Sequence, residues 1–325
     1  MITKKTFLWA VLAIMGAATM TSCDDVLGEW SRPTPVTPSS SDSSDSKEVP
    51  EGVVNANAKF TIDAVGTQVY FAKGNLQAKY DGSSWTWAFA TNQWDYIGNA
   101  AGNNSVMENG TLSTTTGTVD LFGWVGESST VLTGDPAKYG ICKSKTEADY
   151  GNDASDKLKS DWGAKIGSGW RVLTSDEWTY LFNTRSASFL NATDNARYTK
   201  AKVNDVYGVI LFPDSYTHPE GLPLPVSGSI NATDANGWNN NTYDAADWSK
   251  LETAGCVFLP AAGYREETTM SEVNSNGAYR SSSLNGTDAT KTCVLAFSSS
   301  DLKPAESENV KRFVGCSVRL VRVAE

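Results

Sequence analysis

The sequence predicts an α+β fold of small sheets, a few short helices and long structured loops. Three observations carry that prediction. The β-forming runs are short and are separated by Gly, Asn, Asp and Pro. Stretches with helical period are few and brief. Large rings such as Trp94, Tyr96, Phe122 and Trp124 also stand in the Gly-, Asn-, Ser- and Thr-rich segment 92–134. A ring buries a large area, so such loops are expected to fold down onto the core. Short strands with a few separate helices define the α+β class.

Each element follows from local pattern. Residues 60–63 and 68–72 are rich in β-formers around Val65-Gly66 and read as a hairpin. A second hairpin joins 77–80 to 85–89 across Asp81-Gly82, with Trp85, Trp87 and Phe89 on one face by period two. Residues 153–162 read as a weak helix, with Leu158 and Trp162 four apart. The stretch 169–182 is a short buried strand running into a helix. Thr174 and Glu177 have capping-box spacing there, and Trp178, Leu181 and Phe182 make one apolar face. This joint fixes the angle between a strand and a helix, and distant elements can be built on it. A strand pair, 199–203 and 207–212, turns at Asn204-Asp205. After a Pro-, Gly- and Asn-rich loop (222–241), Asp244 caps a short helix carrying Trp248 and Leu251. The nearly continuous apolar run 256–265 reads as a central strand. Two strands close the chain, 293–297 and 316–321; in the last, Cys316, Val318 and Leu320 oppose Ser317, Arg319 and Val321.

The N-terminus carries an address. Lys4 and Lys5 precede an apolar run, 7–18, too short to span a bilayer as a helix. Met20-Thr21-Ser22-Cys23 resembles a bacterial lipobox, which implies a signal peptide over 1–22 and a lipid on Cys23. Asp24-Asp25 resembles the acidic export signal of Bacteroidetes-type surface lipoproteins. In other Gram-negative groups an Asp after the Cys goes with inner-membrane retention, so the leaflet stays open. The expected location is the outer membrane, lipid-anchored and facing outward. Residues 23–52 then form a Ser-, Pro- and Asp-rich tether, and 53–325 one domain.

Charge and composition exclude several functions. The chain has a formal net charge of −10 and becomes more acidic without Lys4 and Lys5. Nucleic-acid binding, which needs clustered Lys and Arg, is therefore not expected. The one histidine, His218, sits in a Pro-bounded loop and reads as a solvent residue. His-based zinc sites are excluded by counting, and no close Cys pair occurs. Phosphate-binding glycine motifs are absent in a strand-to-helix context. The densest oxygen cluster, Asp234, Asn236, Asn239, Asn240, Asn241, Asp244 and Asp247, has no EF-hand spacing and reads as an Asn/Asp turn. No metal or cofactor is expected. Cys142, Cys256, Cys293 and Cys316 lie in a compartment that permits disulfides, with three possible connectivities. The last three also sit in apolar runs where a free thiol behaves as a small buried hydrophobe. Both readings stay open.

Five ordered segments add up to a likeness: 71–76, 169–181, 258–265, 277–283 and 315–321. Together they resemble the Fibrobacter succinogenes major paralogous domain family, which is similar to the formylglycine-generating-enzyme group of the C-type lectin fold. The resemblance covers about 60–323. It implies small mixed or antiparallel sheets, adjacent N- and C-terminal strands, two helices and long loops presenting a surface. Where the family has Trp after the tyrosine at 279, this chain has Arg280. The enzymes' close C-terminal Cys pair has no counterpart in the widely separated Cys293 and Cys316. The sugar-binding Glu-Pro-Asn and Trp-Asn-Asp triplets are missing too.

The expected function is therefore a binding or display module for an extracellular glycan or protein, without covalent chemistry. In related hypervariable receptors of the fold, C-terminal positions contact the ligand. The positions here are Tyr264, Tyr279, Arg280, Lys291, Asn309 and Arg312, read as exposed aromatic, polar and cationic anchors. Two alternatives stand beside this reading: a structural subunit of a surface assembly, and a divergent enzyme on the same fold. The latter needs acids, or Cys293 with Cys316, in one cleft.

Overall fold

The computed structural model describes residues 51–98, 102–105, 112, 114–129, 141, 147–190, 194–226, 228–234 and 237–324. They belong to one compact unit, Glu48–Glu325. The signal peptide, Cys23, nearly all of the tether, Cys142 and Asn236 lie outside the described residues. In chain order the strands begin with β1 (Phe60–Thr61), β2 (Gln68–Phe71), β3 (Leu76–Tyr80), β4 (Trp85–Phe89), β5 (Gly117–Val119) and β6 (Trp170–Arg171). Next come β7 (Phe189–Leu190), β8 (Asp194–Asn195), β9 (Tyr198–Val203), β10 (Val206–Leu211), β11 (Thr242–Tyr243) and β12 (Val257–Pro260). The last are β13 (Tyr264–Glu266), β14 (Thr269–Ser271), β15 (Gly277–Leu284), β16 (Thr292–Phe297), β17 (Leu302–Glu306) and β18 (Val321–Val323). The α-helices are α1 (Ser175–Thr179) and α2 (Ala245–Thr253). The result is an α+β arrangement, rich in strands, as the sequence predicts.

The terminal strands meet. In the sheet β1-β2-β18-β6 every pair is antiparallel, and Val321 pairs with Phe71 on one side and Arg171 on the other. A second sheet, β11-β9-β10-β12, is mixed, because β11 runs parallel to β9. The β9–β10 turn is the expected Asn204-Asp205, both at positive φ (46° and 64°), which suits a tight hairpin. Sheets β4-β3-β5 and β15-β16-β17 complete the frame. Trp85, Trp87 and Phe89 share a half-buried face while Thr86 and Ala88 point outward. Trp87 stacks on Phe122, and Phe89 meets Trp170 edge-on. The loop rings do fold inward: Phe122 and Trp124 are fully buried, and Trp94 and Tyr96 are half-buried.

The strand–helix joint forms as predicted. Thr174 Oγ1 accepts from the Glu177 amide at 3.1 Å, and the Glu177 carboxylate accepts from the Thr174 amide at 2.7 Å. Arg171 adds a two-pronged pair to the same carboxylate at 2.7 Å. Beyond Thr179 the helix widens into a π turn, Tyr180–Thr184, with Trp178, Leu181 and Phe182 all buried.

Three expectations are corrected. Residues 153–162 form turns, not a helix. Asp153 accepts from the Ser155 amide, Asp156 from that of Ser128, and Asp161 from those of Gly163 and Val172. Acidic side chains that capture nearby amides compete with the helical ladder. The run 256–265 is not a central strand: β12 is an edge strand, and the chain breaks at Gly263 before β13 begins. Gly263 has φ +74°, where an added Cβ would strike the Ser271 carbonyl. β12 is nonetheless buried on both faces, with Val257 and Leu259 in one cluster and Phe258 in another. Finally, residues 316–320 join their neighbours through isolated bridges, Phe122 to Cys316 and Tyr279 to Ser317, and the regular strand starts at Val321. The predicted alternation holds, but neither face meets water, because Ser317 and Arg319 are as buried as Val318 and Leu320.

Buried arginines replace missing ladders. Long irregular segments leave carbonyls to be satisfied, and a guanidinium carries five donors. Arg319 donates to Asn75 Oδ1 (3.0 Å), Ala72 O (2.9 Å) and Phe258 O (2.5 Å), and burial pushes its pKa down to about 10. Arg185 pairs with Asp214 at 2.9 Å and donates to the carbonyls of Leu181 and Arg197.

Candidate functional site

A cavity of about 320 Å³ opens on one face of the β15-β16-β17 sheet. It exists because the residues on that face are small. Ala278 pairs with Ala296, and Val294 lies one step along. Their neighbours Tyr279 and Leu295 turn the other way into the main core. β13 and the segment 309–316 form further walls. That segment is tied down by the Thr292 amide to Val310 O (2.9 Å), the Arg312 amide to Thr290 O (3.1 Å), and paired bonds between Gly315 and Arg265 (2.9 and 2.7 Å). Val310, Val314 and the buried Cys316 complete an apolar lining.

Polar groups ring this lining: Tyr264, Glu266, Asn276, Asp301, Lys303, Glu306 and Asn309. Lys303 lies 3.0 Å from Glu306 and 3.5 Å from Asp301. Its bond to Glu306 raises its pKa. Burial works against ionising Glu306, but Lys303 and the Glu308 amide hold its carboxyl below the usual range. Among the described residues Glu266 has no ion-pair partner. The lining therefore holds three carboxylates and one ammonium.

Of the six residues read as anchors, Tyr264 and Asn309 line this cavity. Lys291 lies outside it, 3.1 Å from Asp288 and bridged through its backbone to Lys311. The expectation that Tyr279, Arg280 and Arg312 are exposed is corrected, since all three are at most 1% exposed. Tyr279 donates its hydroxyl to Pro260 O at 2.9 Å and accepts from Asn75 Nδ2 at 3.1 Å. Arg280 donates to Phe122 O at 2.9 Å and Thr292 Oγ1 at 2.6 Å, while its own carbonyl accepts from the Trp178 indole. Arg312 reaches Asp156 at 2.6 Å and Asp153 O at 2.9 Å, and its guanidinium lies 4.9 Å from the Trp124 ring centroid. The physical reason is common to all three: each satisfies backbone or carboxylate acceptors that the loops bring inside. The final fifty residues are thus not a continuous display surface, and much of that segment is core. Asn276 and Asp301 carry no signal in the sequence, and Glu266, Lys303 and Glu306 read there only as part of a polar display surface, not as anchors. The signal available was Ala278 opposite Ala296, a cross-strand pair without bulk on that face.

The other candidates resolve as structure. His218 is half-buried rather than a free solvent residue; it bonds the Tyr216 hydroxyl (2.9 Å) and Leu222 O (3.2 Å). Asn241 is buried among Thr199, Lys200 O and Ser229, and Asp244 caps α2 by accepting from the Asp247 amide. Among the described residues no group of three or more His, Cys, Asp or Glu is arranged to hold a metal. Cys256, Cys293 and Cys316 are free and buried. Burial raises all three thiols above their usual pKa, which keeps them protonated. Cys316 lines the cavity and Cys293 does not.

No family model, no curated protein and no solved structure matches the chain.

Proposed function

We propose that this protein is a surface-anchored lipoprotein, lipidated on Cys23, whose C-type-lectin-like domain binds an extracellular glycan or protein ligand without covalent chemistry. The single observation that carries the binding role is the cavity beside Tyr264 and Asn309. It combines an apolar floor with converging polar groups on a rigid sheet, which is the usual make-up of a ligand site. Its volume falls at the small end of the range of roughly 300–1,000 Å³ for ligand pockets. The adjoining terminal strands and the capped strand–helix joint are consistent with the proposed likeness to the Fibrobacter succinogenes major paralogous domain family. The lipobox-like segment ending at Cys23 supports the anchor.

Two experiments test this. The full chain, purified in detergent, is screened on glycan and protein arrays with and without calcium. A ligand whose binding is lost in Ala278→Phe, which fills the cavity, is the expected result. Ligands bound equally by that variant, or none at all, would remove the binding role from the cavity. Labelled fatty acid should enter the wild type in cells and not Cys23→Ala, and labelling of both would overturn the anchor.

A further inference from the structure

We infer that the cavity binds a small organic cation, an ammonium group on a compact apolar body. This rests on the reading of the cavity as a ligand site and names what enters it. Three ligand classes can be weighed against the lining. An anion would face Glu266, Asp301 and Glu306 with only Lys303 to meet it, and that ammonium is already held at 3.0 Å by Glu306 and 3.5 Å by Asp301. A neutral apolar body would cover the floor but desolvate Glu266 without giving it a counter-charge, which is costly. A cation resolves both conflicts. Its apolar part lies on Ala278, Ala296 and Val294, and its charge meets the unpaired Glu266 at the rim. Tyr264, also in the wall, adds a ring whose face attracts a cation. Among the described residues neither the Tyr264 hydroxyl nor the Asn309 amide side chain has a hydrogen-bond partner, so both remain for the ligand. At about 320 Å³ the space admits one ring-sized body at a time, such as a single cationic residue of a larger glycan or protein ligand.

The test titrates the full-length protein with phenethylammonium, 2-phenylethanol and 3-phenylpropionate, by calorimetry and ligand-observed NMR. Phenethylammonium is expected to bind at least about tenfold more tightly than the alcohol, and the acid to be weakest of the three. Glu266 is exposed, so Glu266→Gln keeps the fold; it should weaken the amine about fivefold and leave the alcohol bound as tightly as before or more tightly, closing the gap between them. Ala278→Phe should remove binding of all probes. Should the alcohol or the acid bind as tightly as the amine, the cation assignment fails while the cavity remains a ligand site. The cation assignment fails in the same way if no probe binds but an array ligand does and is lost in Ala278→Phe. If neither probes nor array ligands bind, both readings fall.

Discussion

Arg312 and Asp156 form a pair at 2.6 Å with side chains 1% and 3% exposed. Such a pair contributes little relative to an apolar replacement of both partners, but removing one leaves a buried charge alone. Arg312→Met is therefore expected to destabilise the chain by about 3–5 kcal/mol in urea unfolding. Arg312→Met combined with Asp156→Leu should recover much of that loss, and strict additivity of the single changes would contradict the pairing. The same carboxylate sets an acid limb. Burial raises the Asp156 pKa, but bonds from Ser128 and Arg312 outweigh it, so the folded value lies below the usual 3.8. Between the two values the unfolded chain binds more protons than the folded one. The stability due to this group is thus complete above pH of about 4 and is lost as pH falls through the folded value. Asp156→Asn should flatten that part of the urea-midpoint profile against pH; an unchanged slope would show that other carboxylates set it. At this scale the sequence identified residue types but not their side of the surface. Arg280 and Arg312 in polar segments read the same whether they face water or clamp a carbonyl, because a long cationic side chain serves either role.

At the scale of the element, sequence patterns were legible wherever one local interaction decides the outcome. The capping box at Thr174 and Glu177, the Asn204-Asp205 turn and the Asp244 cap all form as their spacing requires. Thr174→Ala should accordingly cost about 1 kcal/mol of stability, measured by thermal or urea unfolding. Thr174→Ser should recover most of it, and equal losses in both would point to packing instead of the cap. Prediction failed where several local options competed. In 153–162 Asp153 and Asp161 capture amides two residues on, while Asp156 and Asp161 also reach the amides of Ser128 and Val172, and period alone weighs neither kind of partner. In 256–265 unbroken hydrophobicity concealed a change of direction at Gly263, whose left-handed backbone separates an edge strand from a new hairpin. The candidate site belongs to this scale as well. Tyr264 and Asn309 were legible as an aromatic and a polar anchor in the C-terminal part of the chain, but the cavity joining them depends on Ala278 facing Ala296 across two strands.

At the largest scale the unit Glu48–Glu325 is closed by β18. β18 lies between β2 and β6, Val318 and Leu320 enter one core cluster, and Val321 enters another. Arg319 joins Asn75, Ala72 and Phe258 from the same segment. Removing residues 318–325 should therefore abolish cooperative unfolding and near-ultraviolet circular dichroism, not merely lower the melting temperature. A truncated chain that melts cooperatively near the wild-type temperature would show that this segment is peripheral. By itself the sequence determined the class of fold, the main hairpins, the strand–helix joint and the inward turn of the rings in the 92–134 loops. These depend on periodicity and on bonds between near neighbours. Only the tertiary structure decided which arginines are interior, which strand lies at an edge, and where an unfilled space remains. Those outcomes depend on partners far apart in the chain, and a residue carries no local mark of the distant carbonyl, carboxylate or small side chain it will face.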